Sequence, residues 1–98
     1  MAATTKDVNV ELIRACKYGN LQEVEPLVSS GANVNASHNN KTPLSAAALG
    51  GQIEISRFLI SKGADVNFTD RYGTTPLMLA TRKGNTQIVQ LLLENSMH

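Results

Sequence analysis

Ile53, Ile55, Phe58, Leu59 and Ile60 lie at near-helical spacing and are closed by Gly63, placed where a helix wants a residue of positive φ. Upstream, Leu44, Ala46, Ala47 and Ala48 give a shorter helix a surface of small residues, which lets a neighbour approach closely before Gly50-Gly51 ends it. Thr42 can cap that helix with Pro43 as its first residue, where the absent N–H costs nothing and φ is already set. Together the two segments predict an antiparallel helix pair. From Ala64 to Thr74 the pattern changes. Val66 and Phe68 stand among polar residues and Asp70-Arg71-Tyr72-Gly73 follows, which excludes a helix and predicts an extended, hairpin-like finger with a tight turn.

The pattern recurs. Thr42-Pro43-Leu44 returns as Thr75-Pro76-Leu77, Ala47 as Ala80 and Gly51 as Gly84, at a spacing of 33. One unit earlier, Leu12, Ala15 and Gly19 precede Leu44, Ala47 and Gly51 by 32, and Gly31-Ala32-Asn33-Val34-Asn35 precedes Gly63-Ala64-Asp65-Val66-Asn67 by the same interval. Asn67 to Thr75 is eight positions and Asn35 to Thr42 is seven, so the first connection lacks one residue, in the turn around Ser37 to Lys41. A single unit would leave its apolar faces bare, whereas stacked units share one continuous core.

On these motifs the chain resembles the ankyrin repeat family from about Asp7 to Asn95: TPL opens each full repeat, Gly51 and Gly84 follow, then an apolar helix (Ile53 to Ile60, Ile88 to Leu93), then GADVN with Asp70 and Gly73. The resemblance implies an all-α repeat solenoid, a stack of antiparallel helix pairs joined by β-hairpin-like fingers. Residues 7–98 form a single domain of units at about 7–36, 37–68 and 69–98, the first a capping repeat, after a disordered N-terminus at 1–6. The family's TPLH histidine is Ser45 in one repeat and Met78 in the other, so its hydrogen bonds are expected to be missing. Pro26 stands where Phe58 and Leu91 stand in the other units, and the first outer helix is expected to kink or start late. Ser96 takes the place of Gly63 and no polar capping helix follows, so some of Leu79, Ile88, Val89 and Leu92 are expected to lie exposed at an unpaired stack face.

Composition narrows the function. A chain of 98 residues makes at most one domain, and a formal net charge of +1 gives no global field that would argue for nucleic acid or an anionic membrane. No apolar run approaches the ~18 residues of a membrane span. One cysteine, Cys16, excludes an internal disulfide, and with His38 and His98 it makes no four-ligand zinc site. The lone thiol and the polar start of the chain point to the cytoplasm, with the nucleus also open.

Catalytic constellations are not visible. Cys16 aligns with Ala48 inside the first helix and reads as a small buried residue, and neither histidine is placed beside it or beside a serine. Asp65 and Asp70 recur at turn positions that the family uses for backbone hydrogen bonds. An enzyme is not expected, nor a cofactor or metal. Asn35-Ala-Ser37, Asn40-Lys-Thr42 and Asn67-Phe-Thr69 match a glycosylation pattern, but Asn35 and Asn67 read more simply as side chains that tie the finger backbone. Leu59, Asp65, Val66 and Asn67 also look like the pattern at which the factor-inhibiting asparaginyl hydroxylase modifies ankyrin repeats, which makes Asn67 a candidate hydroxylation site.

What remains is binding. The resemblance implies a concave face of finger tips and first helices, which here holds Lys17, Tyr18, His38, Asn39, Asn40, Lys41, Leu49, Arg71, Tyr72, Thr74, Arg82 and Lys83. Five of the nine basic residues fall on it, but of the acids only Asp70, while Glu23, Glu25, Glu54 and Glu94 sit on or beside the second helices. A nearly neutral chain is thus polarised. Tyr18, Leu49 and Tyr72 interleave with the cations, which suits a protein epitope with apolar anchors and an acidic rim. The chain is expected to be a non-catalytic protein–protein interaction module, an adaptor or a stoichiometric inhibitor. The alternative is a structural segment of a longer array, or a stack that self-associates through its C-terminal repeat.

Overall fold

The computed structural model describes residues 7–96. The expected disorder at 1–6 lies outside them. Six helices follow in order: α1 (Val8–Tyr18), α2 (Leu21–Ser29), α3 (Pro43–Gly50), α4 (Ile53–Ser61), α5 (Pro76–Lys83) and α6 (Thr86–Ser96). They form three antiparallel pairs in a stack with extents of 45 × 28 × 24 Å, the all-helical solenoid that the pattern predicts. The inner helices α1, α3 and α5 pack on one another more closely than the outer helices α2, α4 and α6 do. The cause is side-chain size: Ala46, Ala47 and Ala48 of α3 are all fully buried, while the outer row holds Ile55, Leu59, Ile88 and Leu92 in its core. A tight inner row against a wide outer row curves the stack, with α1, α3 and α5 toward the concave side.

The helix starts follow from local chemistry. Thr42 Oγ1 accepts from the Ser45 N–H at 3.2 Å and Thr75 Oγ1 from the Met78 N–H at 3.2 Å, with Pro43 and Pro76 opening α3 and α5. Ser45 corrects an expectation. Its Oγ accepts from the Thr42 N–H at 2.8 Å and donates to the Thr42 carbonyl at 3.0 Å, so the hydroxyl completes a reciprocal capping box in place of the histidine. Met78 has no polar side chain to do the same and is half exposed.

Pro26 does not delay α2, which begins directly after its Asn20 cap and spans nine residues, as α4 does. The bond that the proline forfeits would run to the Gln22 carbonyl, and both residues are exposed, so water can satisfy that carbonyl. Pro26→Leu is expected to stabilise the stack by about 1 kcal/mol, below the full interior penalty of ~3 kcal/mol because the helix is already accommodated. A urea midpoint that stays put or falls would show that the proline carries no cost.

The C-terminal edge also differs from expectation. Ile88 and Leu92 are buried, turned against α4 and α5, and Leu79 and Val89 are half-buried; the exposed apolar residues of the last pair are Met78 at 51% and Leu93 at 46%.

Candidate functional site

The two fingers owe their shapes to one residue. In the first, His38 and Lys41 exchange backbone hydrogen bonds of 2.9 and 3.0 Å, and Asn39 and Asn40 between them have φ of 50° and 70°. Two successive left-handed residues close a two-residue hairpin of the primed type, and asparagine tolerates that conformation better than most side chains. In the second finger the Asp70 N–H donates to the Thr74 carbonyl at 3.1 Å across a three-residue loop that ends in Gly73 at φ 80°. The missing residue near Ser37 to Lys41 is thus the difference between two hairpin loops.

Side chains then stitch unit to unit. Asn35 Nδ2 donates to the Gly63 carbonyl at 3.0 Å while its Oδ1 accepts from the Asp65 N–H at 2.7 Å. At the tips Asn40 Oδ1 accepts from the Arg71 N–H at 3.0 Å, while within the first unit Asn9 Oδ1 accepts from the Asn33 N–H at 2.8 Å. Asn67 is exposed, and its N–H donates to Asp65 Oδ1 at 2.9 Å.

Asp70 organises the second tip: its Oδ1 accepts from the N–H groups of Tyr72 at 2.8 Å and Thr74 at 2.9 Å. These bonds, that from Thr74 foremost, together with the charge of Lys41 hold the carboxyl below the usual carboxylate range. The stability it contributes is therefore complete above its unfolded pKa of about 3.9 and is lost as pH falls through the lower folded value. In an NMR titration the Tyr72 and Thr74 amides should shift together with the Asp70 carboxyl. A common midpoint at or above about 3.9 would remove the carboxylate from that role.

Two adjoining clefts lie along the fingers. One, of about 310 Å³, is lined by Val10, Ile13, Arg14, Lys17 and Tyr18 of α1, by His38, Asn39 and Lys41 of the first finger, and by Ala46. The other, of about 460 Å³, lies between Asn39, Asn40 and Lys41 of the first finger and Asp70, Arg71, Tyr72 and Thr74 of the second, with Leu79 and Arg82 from α5. Asn39 and Lys41 belong to both. Of the residues assigned from sequence to the concave binding face, all but Leu49 and Lys83 line one cleft or the other; Leu49 is half-buried and Lys83 is exposed elsewhere on α5. Sequence reasoning missed Val10, Ile13 and Arg14. The signal was present, since Val10, Arg14 and Lys17 are spaced i, i+4, i+7 and must share one helix face.

The aromatic residues at the clefts are presented with cations. Lys17 Nζ lies 4.8 Å from the centroid of the Tyr18 ring and the Arg71 guanidinium 5.9 Å from that of Tyr72, and both rings are more than 70% exposed. Lys17, by hydrogen bonding and then by charge, holds the Tyr18 phenol below its usual range. A larger hollow of about 740 Å³ lies between α1 and α2; it includes Glu11, Glu23 and Pro26 and shares Arg14 and Tyr18 with the first cleft.

Cys16 is fully buried in α1, and burial pushes its thiol up to about 12, so it is a protonated core residue at neutral pH. Among the described residues no group of histidine, cysteine, aspartate and glutamate is arranged to hold a metal, and no helix is long and apolar enough to cross a membrane. Every buried side-chain nitrogen and oxygen among them has a hydrogen-bond partner.

A family model for ankyrin repeats, three copies in tandem, matches residues 12–98. The chain is similar to the ankyrin repeat and KH domain-containing protein mask-1 of Caenorhabditis elegans, 38% identical over 85 residues, which is 86% of this chain and 3% of that protein. It is 44% identical over 93 residues to mask of Drosophila melanogaster, covering 90% of this chain and 2% of that protein. To the ARF GTPase-activating protein GIT1 of Homo sapiens it is 36% identical over 93 residues, 93% of this chain and 12% of that protein. The chain thus spans a small fraction of the curated relatives it matches.

Proposed function

The chain belongs to the ankyrin repeat family, whose repeats are protein-interaction modules, and from that premise we propose that it acts as an adaptor or stoichiometric inhibitor, gripping an acidic protein surface with its finger tips and concave helices. The observation that carries this reading is the pair of adjoining clefts, where Lys17, Lys41, Arg71 and Arg82 surround two exposed tyrosines and Asp70 alone brings a carboxylate. Rigid hairpins stitched to their neighbours lose little freedom on binding, and exposed Tyr beside Arg is the composition of interface hot spots. Ankyrin repeats are generally non-catalytic, and the reading assigns this chain no reaction of its own. A cytoplasmic location, with the nucleus as the alternative, is proposed with it on the lone reduced thiol of Cys16. Asn67, exposed on the finger, is proposed as a hydroxylation position.

With a partner recovered by affinity purification, hydrogen exchange should show protection at 38–41, at 71–74 and along the exposed side of α1. Protection confined to α2, α4 and α6 would defeat the reading.

A second reading is supported by Met78 and Leu93, exposed on the last helix pair: this edge stacks on further repeats or on a second copy. Met78→Lys with Leu93→Glu should then lower the sedimentation-average mass at high protein concentration, and a wild-type monomer under the same conditions would exclude the second copy.

A further inference from the structure

The two clefts differ in chemistry, and the difference specifies a ligand. The cleft on α1 has an apolar floor of Val10, Ile13 and Ala46 beneath a rim of Arg14, Lys17 and Lys41, and no carboxylate lines it. Such a site suits an aliphatic or aromatic side chain whose flanks are anionic. The cleft between the fingers is more polar, with Lys41, Arg71 and Arg82 around it. Its one acid, Asp70, has Oδ1 occupied by two backbone N–H groups and Lys41 nearby, so the charge left to a ligand is positive. One cleft lies against α1 and the other reaches α5, and the first finger is shared between them. Because α3 stands between α1 and α5 and the first cleft already reaches it at Ala46, the offset is about one inner-helix spacing, roughly 8–10 Å, and not the two that separate α1 from α5. An extended chain advances about 3.3 Å per residue, so that offset is covered by about three residues.

We infer that the concave face binds an extended acidic peptide in which an apolar or aromatic anchor, seated on Val10 and Ile13, stands about three residues from an aspartate or glutamate held by Arg71 and Arg82. The inference rests on the concave-face reading above and adds the class of ligand, the order of its two groups along the stack and their separation. Lys41 sits where the connecting residues cross. Charge steers the peptide and sets its register, and the anchor supplies the slow dissociation.

The test is a selection of a randomised dodecapeptide display library on the immobilised protein, followed by fluorescence anisotropy of one enriched, labelled peptide. Enriched sequences should share the anchor and the acid at that separation. Arg82→Glu should weaken the peptide by about fivefold, the size of one exposed charge pair, and should abolish the benefit of its acidic residue. Val10→Gln should abolish the benefit of the anchor and leave that of the acid; circular dichroism checks that both variants fold. Enriched peptides that lack the acid, or binding indifferent to both substitutions, overturn the inference. Where no peptide is enriched but a recovered protein partner still loses binding on charge reversal of the concave face, the peptide inference falls and the concave-face reading stands. Where neither responds, both fall.

Discussion

Gly50→Ala should destabilise the stack by roughly 2 kcal/mol, although helix propensity alone predicts the opposite sign. Gly50 is the last residue of α3, and in a helix alanine is favoured over glycine by about 1 kcal/mol. At this site, however, an added Cβ would collide with the carbonyl group of Lys17. That obstacle is backbone and cannot rotate away, and the Lys17 carbonyl is also held by Gln52 Nε2 at 3.2 Å, while the same amide donates to the Gly19 carbonyl at 3.0 Å. Relief would require α1 and α3 to separate, which would loosen the contact that places Lys17 and Tyr18 beside the first finger. Gly84→Ala is the comparison: its Cβ would meet open space, so only the left-handed φ of 75° is penalised, at about 1–2 kcal/mol. Chemical denaturation of both variants decides between the effects. A Gly50→Ala protein as stable as wild type would mean that the inner helices are not in backbone contact there.

What could be read from the chain depended on how local each cause was. The Thr42 and Thr75 caps, the prolines after them and the 33-residue recurrence are properties of a few adjacent residues, and the helix pairs they predict are present. The one-residue deletion was visible too, but its consequence was not. That Asn39 and Asn40 would both turn left-handed depends on the cross-finger bonds of His38 and Lys41. Ser45 was read as a loss because the comparison was with a histidine, whereas the short hydroxyl reaches back to Thr42 and makes its own pair of bonds. Ile88 and Leu92 were expected at the edge from the place of their unit in the stack; the pitch of α6 instead turns them inward and leaves Leu93 out. For the candidate site, the fingers carried the signal openly, and α1 carried it in Lys17, Tyr18 and the face that Val10 and Arg14 share with Lys17. Val10 and Ile13 look like core residues in a one-dimensional pattern, and only the packed arrangement of α1, α3 and the first finger shows that they floor a cleft.

Reversing Lys17, Arg71 and Arg82 to glutamate should reduce partner binding on the order of a hundredfold, if each exposed pair contributes somewhat under ~1 kcal/mol and the reversal adds repulsion. The three residues line the adjoining clefts, two of them beside the exposed rings of Tyr18 and Tyr72. Lys83 sharpens the test. It was grouped with them on sequence grounds but lines neither cleft, so Lys83→Glu alone should change affinity little. A convex control, Glu23→Lys with Glu54→Lys, should bind nearly as before, since both residues are exposed on the outer helices. Added salt should slow association more than it speeds dissociation, because exposed charges are screened beyond a Debye length of ~8 Å at physiological ionic strength. Binding kinetics of these variants against a recovered partner, with circular dichroism to confirm folding, separate the possibilities. Loss in the convex control with the concave triple variant intact would move the working surface to the outer helices. Equal losses in the Lys83 and triple variants would mean that net charge, and not the two clefts, governs the encounter.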